Sequence, residues 1–164
     1  MNKCICGLKI VSFSGRENAR DVMVLDAPDF EDVRNGFLMA GAVADVMRQE
    51  LQVVGLDLLE FRVVSLWGHT KPKKKSECTV DDHASNLWTE LVAKDRRSVL
   101  VMGNDVSKIL FDAPLIDVCG LPLESEYIPK GVTITAAPAP LTLTYGMKGE
   151  MVLSLQKYRR YLDD

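Results

Sequence analysis

The chain has little that would mark it at first sight. Its 164 residues include 7% aromatics, two tryptophans, two histidines and four cysteines. Neither sign of charge dominates: 20 Lys and Arg stand against 23 Asp and Glu, a formal net charge of −3. That balance excludes a global basic field, so any contact with an anionic polymer must come from a local patch. No apolar run approaches the roughly 20 residues that cross a bilayer, so no membrane partner is expected. The N-terminal stretch is interrupted by Lys9 and lacks a clear cleavage site, so no secretory leader is read and a cytoplasmic location is expected. Cysteines there are expected to be reduced: buried, reactive or metal-bound rather than bridged. Repeats and low-complexity segments are missing. So are the glycine-rich phosphate loops G-x-G-x-x-G and G-x-x-x-x-G-K-[ST], which ranks a generic doubly wound nucleotide-binding enzyme last.

What is present reads as one domain over residues 1–164, 47% apolar and 26% charged, long enough to bury a core. Apolar, β-type runs fall at 8–14 (LKIVSFS), 21–27 (DVMVLDA), 61–67 (FRVVSLW), 98–103 (SVLVMG) and 131–137 (GVTITAA). Four of them are nearly continuous, as strands buried on both faces require. The GRENAR turn between the first two predicts a hairpin. Helical patterns fill the gaps. Residues 41–55 place Val43, Val46, Met47 and Leu51 on one stripe and stop at Gly55, a favoured helix end. Residues 80–95 open with Asp81 and Asp82, where carboxylates suit the helix dipole. Residues 104–111 start at Asn104, a good cap, and 150–162 close the chain. Strands alternating with helices predict an α/β fold: three αβα layers around a mostly parallel central sheet.

In such sheets ligands gather beyond the carboxyl ends of the strands. Those ends are LDAPDF, SLWGHTKP, GND and AAPAPL. The last holds two prolines one residue apart, Pro138 and Pro140, which predict a stiff, extended loop. Either these four segments wall a shared crevice, or they are ordinary connectors rich in turn residues.

Their order along the chain resembles the uracil-DNA glycosylase superfamily, and within it the bacterial and archaeal iron–sulfur branch. The resemblance covers roughly residues 21–141. It rests on Leu25-Asp26-Ala27-Pro28-Asp29, Gly36-Phe37-Leu38, the run from Val64 to Pro72, His83, Val101-Met102-Gly103 and Ala137-Pro138. The resemblance implies a compact domain that accepts a flipped-out base from single- or double-stranded DNA. The cost of extrusion is recovered by stacking and by hydrogen bonds to the base edge. By position, Phe37 matches the stacking aromatic, Ser65 the base-reading Asn, Asp26 the motif-one Glu, and Ala137, next to Pro138, the motif-two His. The departures are chemical. Asn offers a donor and an acceptor in one plane, whereas Ser has one short hydroxyl. Ala137 cannot stabilise charge on a departing base, a role worth roughly 2.7–4 kcal/mol per donor in other enzymes. Asp26, with Asp29 nearby, either orients a water or caps a following segment. Excision of uracil or a modified base is therefore expected to be weak or lost. The alternative is a non-catalytic accessory module that binds a replication or repair protein.

The same branch uses four cysteines for its cluster. Here Cys4 and Cys6 lie at the start, His69 and His83 fall at the other two positions, and Cys78 lies between them. No cofactor is required by this reading. Two Cys and two His suit zinc, with Cys78 able to replace either His; a remnant iron–sulfur site is less compatible with three clustered cysteines. The plainer alternative is a lost cluster whose cysteines pack as small core residues, the default for Cys119. The basic run Lys71, Lys73, Lys74 and Lys75 either grips DNA phosphates or is a solvated loop. Trp67 either stacks on a base or belongs to the core.

Overall fold

A computed structural model describes residues 3–72, 78–93 and 95–164. Four strands form the sheet: β1 (Asp21–Leu25), β2 (Phe61–Ser65), β3 (Ser98–Val101) and β4 (Thr133–Ala136). All neighbours run parallel, in the order β2-β1-β3-β4. The helices are α1 (Phe30–Asn35), α2 (Ala42–Val53), α3 (Asp81–Leu91), α4 (Asn104–Phe111), α5 (Leu115–Val118) and α6 (Lys148–Asp163).

The strand pattern dictates the layers. Val22, Val24, Val99, Val101, Ile134 and Ala136 point to one face, where α3, α4 and α5 supply Leu87, Leu91, Val106, Leu110 and Leu115. Met23, Leu25, Val63 and Leu100 point to the other, against Met47 and Leu51 of α2 and Met151, Leu155 and Tyr158 of α6. A sheet covered on both sides favours apolar residues on both faces of its strands, which explains the nearly continuous runs. This is the expected αβα arrangement. The stripe on α2 is shifted: Ala44, Met47 and Leu51 are buried, whereas Val46 is 38% exposed.

Two expectations are corrected. Residues 8–14 do not form a hairpin with β1. Both edges of β1 are taken by β2 and β3, so the N-terminal arm lies along the free outer edge of β2 instead. Ser14 N–H donates to Val63 O at 3.0 Å, Val63 N–H donates back at 2.9 Å, and Val11 N–H donates to Gly68 O at 2.7 Å. The double-proline loop is extended only as far as Ala139. Pro140 opens a 3-10 helix, Pro140–Tyr145, because its fixed φ and missing N–H suit the first helical position.

Candidate metal centre and the rim of the sheet

The arm carries Cys4 and Cys6 past the end of β2. The chain leaving β2 supplies His69, and the residues before α3 supply Cys78. These four come together: one ligand atom from each of Cys4, Cys6, His69 and Cys78 lies within 4.8 Å of all the others. They form a group able to hold a metal ion. His69 Nε2 is 3.4 Å from the sulfurs of both Cys6 and Cys78. Its Nδ1 lies 2.8 Å from the carbonyl oxygen of Thr70. A carbonyl only accepts, so Nδ1 carries the proton and Nε2 turns its lone pair to the sulfurs.

His83, expected as a ligand, stands beside this group, and Cys78 takes the fourth place. Gly68 N–H donates to His83 Nδ1 at 3.1 Å, and His83 Nε2 is 3.5 Å from Cys4 Sγ. The two imidazoles meet edge to face with centroids 4.5 Å apart. Trp67 packs over both, its centroid 5.3 Å from that of His83 and 6.1 Å from that of His69. It is buried there, so Trp67 belongs to the core. Burial pushes the Cys78 thiol up to about 12, helped by the adjacent Cys4 and Cys6 sulfurs. Burial also holds His83 below its ordinary value, as does nearby His69. A metal must therefore displace a proton from Cys78 to bind. Cys119 is half-buried against the α3–α5 side, with its thiol raised by burial to about 11.

Asp26, Ser65, Met102 and Ala137 stand at the carboxyl ends of the four strands, along one rim of the sheet. Trp67 N–H donates to Asp26 O at 2.8 Å, Met102 N–H to Val24 O at 2.8 Å, and Ala137 N–H to Val101 O at 2.9 Å. The ends of all four strands are thus laced side by side. The side chains of Asp26, Asp29 and Ser65 bond to helix ends and to nearby backbone. Asp26 accepts from the Asp105 and Val106 amides at 3.1 and 3.0 Å, capping α4 in place of the expected Asn104. The approach is possible because residue 103 is glycine: a Cβ there would sit 2.2 Å from Asp26 Oδ1. Asp29 caps α1 through Asp32 N–H at 2.8 Å, and Asp32 accepts from Asp29 N–H in return, a capping box. Ser65 Oγ donates to Trp67 O at 2.6 Å, Ala137 is fully buried and Pro138 is buried beside it.

Phe37 lies apart, 46% exposed. It lines a 370 Å³ cavity with Arg16, Met39 and Arg48. Ser65 lines a different cavity of 440 Å³ with Phe13, Arg62, His83 and Asn86. A third, of 780 Å³, sits under residues 122–134. None of these three is lined by Asp26, Ala137 or Pro138. Lys71 is exposed on the rim and pairs with Asp105 at 2.7 Å. Lys73, Lys74 and Lys75 lie outside the described residues.

Burial raises the Asp26 carboxyl above its ordinary range, against the pull of the Val106 and Asp105 amides. A raised value means that the folded chain holds this proton more tightly than the unfolded chain does. Its contribution to stability therefore falls as pH rises from the ordinary carboxylate range through the raised value, and is level above it. In urea titrations across that acid window, wild type should lose ground to Asp26→Asn as pH rises. The difference between the two should be constant near neutrality.

No protein-family model matches the chain, and no curated protein does either.

Proposed function

We propose that the chain is a DNA-binding protein on a uracil-DNA-glycosylase-like scaffold, tied together by one zinc ion, in which base excision has been given up. The observation that carries this reading is the use made of Asp26: each carboxylate oxygen already accepts a backbone N–H at the N-terminus of α4, so the motif-one carboxylate serves as a helix cap. The hydroxyl of Ser65 donates to a carbonyl two residues away, and Ala137 offers only a methyl group. Parallel strand ends laced along one rim support the scaffold, and exposed Lys71 with the lysines after it supports contact with phosphates.

Zinc is favoured by the donors. Thiolate and imidazole both suit it, and a tetrahedron of bonds near 2.3 Å has edges of about 3.8 Å, close to the spacing within this group. A four-iron cluster gives each donor its own iron and so holds the donors a cluster's width apart. Zinc, when bound, would supply a structural tie.

The test joins three measurements. Metal analysis should find about one zinc per chain; four irons would overturn the zinc assignment. Uracil-containing single- and double-stranded oligonucleotides should bind without forming abasic sites. Release at an ordinary glycosylase's rate would refute the loss of catalysis. Binding should weaken steeply with salt, and replacing Lys73, Lys74 and Lys75 with Gln should reduce the logarithmic salt slope on duplex by about 2–3. Failure to bind at low salt would favour the accessory-module reading. That reading draws on Phe30 and Val33, one turn apart on α1 and both exposed.

A further inference from the structure

The two histidines beside the metal centre look interchangeable in the sequence, yet the backbone fixes them in opposite tautomers. His69 faces a carbonyl with Nδ1, so its Nε2 is a lone pair. His83 faces an amide with Nδ1: Gly68 N–H points at it from 3.1 Å. An amide N–H only donates, so His83 Nδ1 holds the lone pair and, in the neutral ring, Nε2 carries the hydrogen. That Nε2–H lies 3.5 Å from Cys4 Sγ. To bind a metal through Nε2, His83 would have to lose a second proton or abandon the Gly68 amide.

The local sequence enforces the arrangement. A Cβ at position 68 would stand 3.0 Å from His83 Nδ1 and 3.0 Å from Ile10 Cδ1, so glycine is what lets the amide reach the ring. His83 itself is held in α3 with its ring buried against Trp67 and His69.

We propose that His83 is a positioning residue that donates Nε2–H to the Cys4 thiolate, behind a metal held by Cys4, Cys6, Cys78 and His69. The inference rests on the metal centre proposed above. Three thiolates on a divalent ion leave a net negative charge, and an N–H donor aimed at one sulfur offsets it. Such outer partners commonly change metal affinity by 10–100-fold.

Cobalt(II), added to the full-length metal-free protein under reducing conditions, reads the ligand set directly. Wild type should take up one equivalent with strong thiolate-to-cobalt charge transfer. If wild type binds no cobalt and no zinc, the metal-centre reading itself falls. His83→Gln should still bind one equivalent with the same charge-transfer intensity and ligand-field envelope, at an affinity about 10–100-fold lower. Gly68→Ala should behave likewise. Cys78→Ser should lose about one third of the charge-transfer intensity, because one thiolate of three is gone. The proposal is overturned if His83→Gln shifts the ligand-field bands to those of a site short of one nitrogen, or if Cys78→Ser leaves the charge transfer intact. Long-range proton–nitrogen correlation on the zinc-loaded wild type needs no variant. It should show His83 protonated at Nε2 and His69 protonated at Nδ1; the reverse pattern at His83 overturns the proposal.

Discussion

On the proposed zinc centre, treating the purified protein with a strong chelator should lower its thermal unfolding midpoint by about 8–16 °C. A ligand present at about a thousand times its Kd adds about 4 kcal/mol to the native state, and each kcal/mol moves the midpoint of a domain this size by about 2–4 °C. The size of the effect follows from what the centre connects. Cys4 and Cys6 lie on an arm that buries little of its own: Ile5 and Leu8 are exposed, and Val11 is the arm residue that is fully buried. His69 and Cys78 lie more than sixty residues further along the chain. In the native state a tie of that span fixes the arm to the chain leaving β2. The sheet and its helices have an apolar core of their own, on both faces. The chelated chain should therefore keep its far-ultraviolet circular dichroism and lose only the tie. Readdition of zinc should restore the midpoint and magnesium should not, because thiolates are poor ligands for hard ions. An unchanged midpoint would mean that the four side chains hold the arm without a metal.

Asp21→Ala should cost about 3 kcal/mol of unfolding free energy, measured by urea titration near neutral pH. Asp21 opens β1 and is almost fully buried. It accepts from Arg97 Nε at 3.0 Å and Nη2 at 2.5 Å, and from Ser98 Oγ at 2.7 Å. Ser98 Oγ is in turn bonded to the buried hydroxyl of Tyr158 on α6. The carboxylate thus anchors a chain of polar groups that pins α6 to the lower end of β3. Alanine leaves the buried Ser98 hydroxyl, which still accepts from Tyr158, without its own acceptor, and that stranded donor is where much of the cost lies. The Arg97 side chain is 39% exposed, so water takes over much of its half of the ion pair. A graded series separates the contributions. Asp21→Asn keeps an acceptor for Ser98 and should cost clearly less than alanine. Tyr158→Phe removes one hydroxyl and should cost about 1 kcal/mol. Equal losses in all three variants would contradict this ordering.

The strands and the layers were legible because burial on both faces favours apolar residues along the middle of each strand. Val22 to Leu25 and Val99 to Val101 are apolar throughout for that reason. The partner of the arm was not legible. A run such as LKIVSFS says that a segment is extended, but not which edge is vacant, and that depends on where β3 inserts. Helix α1 was missed because six residues carry too little periodicity. Its signal was the Asp29–Asp32 capping box, in which Asp stands at both positions usually held by Ser or Thr and Glu or Gln. At the candidate metal centre, Cys4, Cys6 and His69 are among the positions that the resemblance implies. The choice between Cys78 and His83 does not follow from it, since spacing cannot tell which ring nitrogen a backbone amide will claim. Asp26, Ser65 and Ala137 fall at strand ends, as the strand pattern predicts, but their hydrogen bonds answer to helix ends and loop carbonyls that no motif records.

The arm has one more consequence. By lying along β2 it covers one outer margin of an all-parallel sheet, whose peptide groups would otherwise face water with their bonds unmade. Such a margin is a template for another polypeptide. A chain whose arm has come loose thus offers a second copy of itself a place to add a strand. On the proposed metal centre, chelated protein should therefore associate with itself more readily than metal-loaded protein, an outcome that sedimentation of the two forms would read directly.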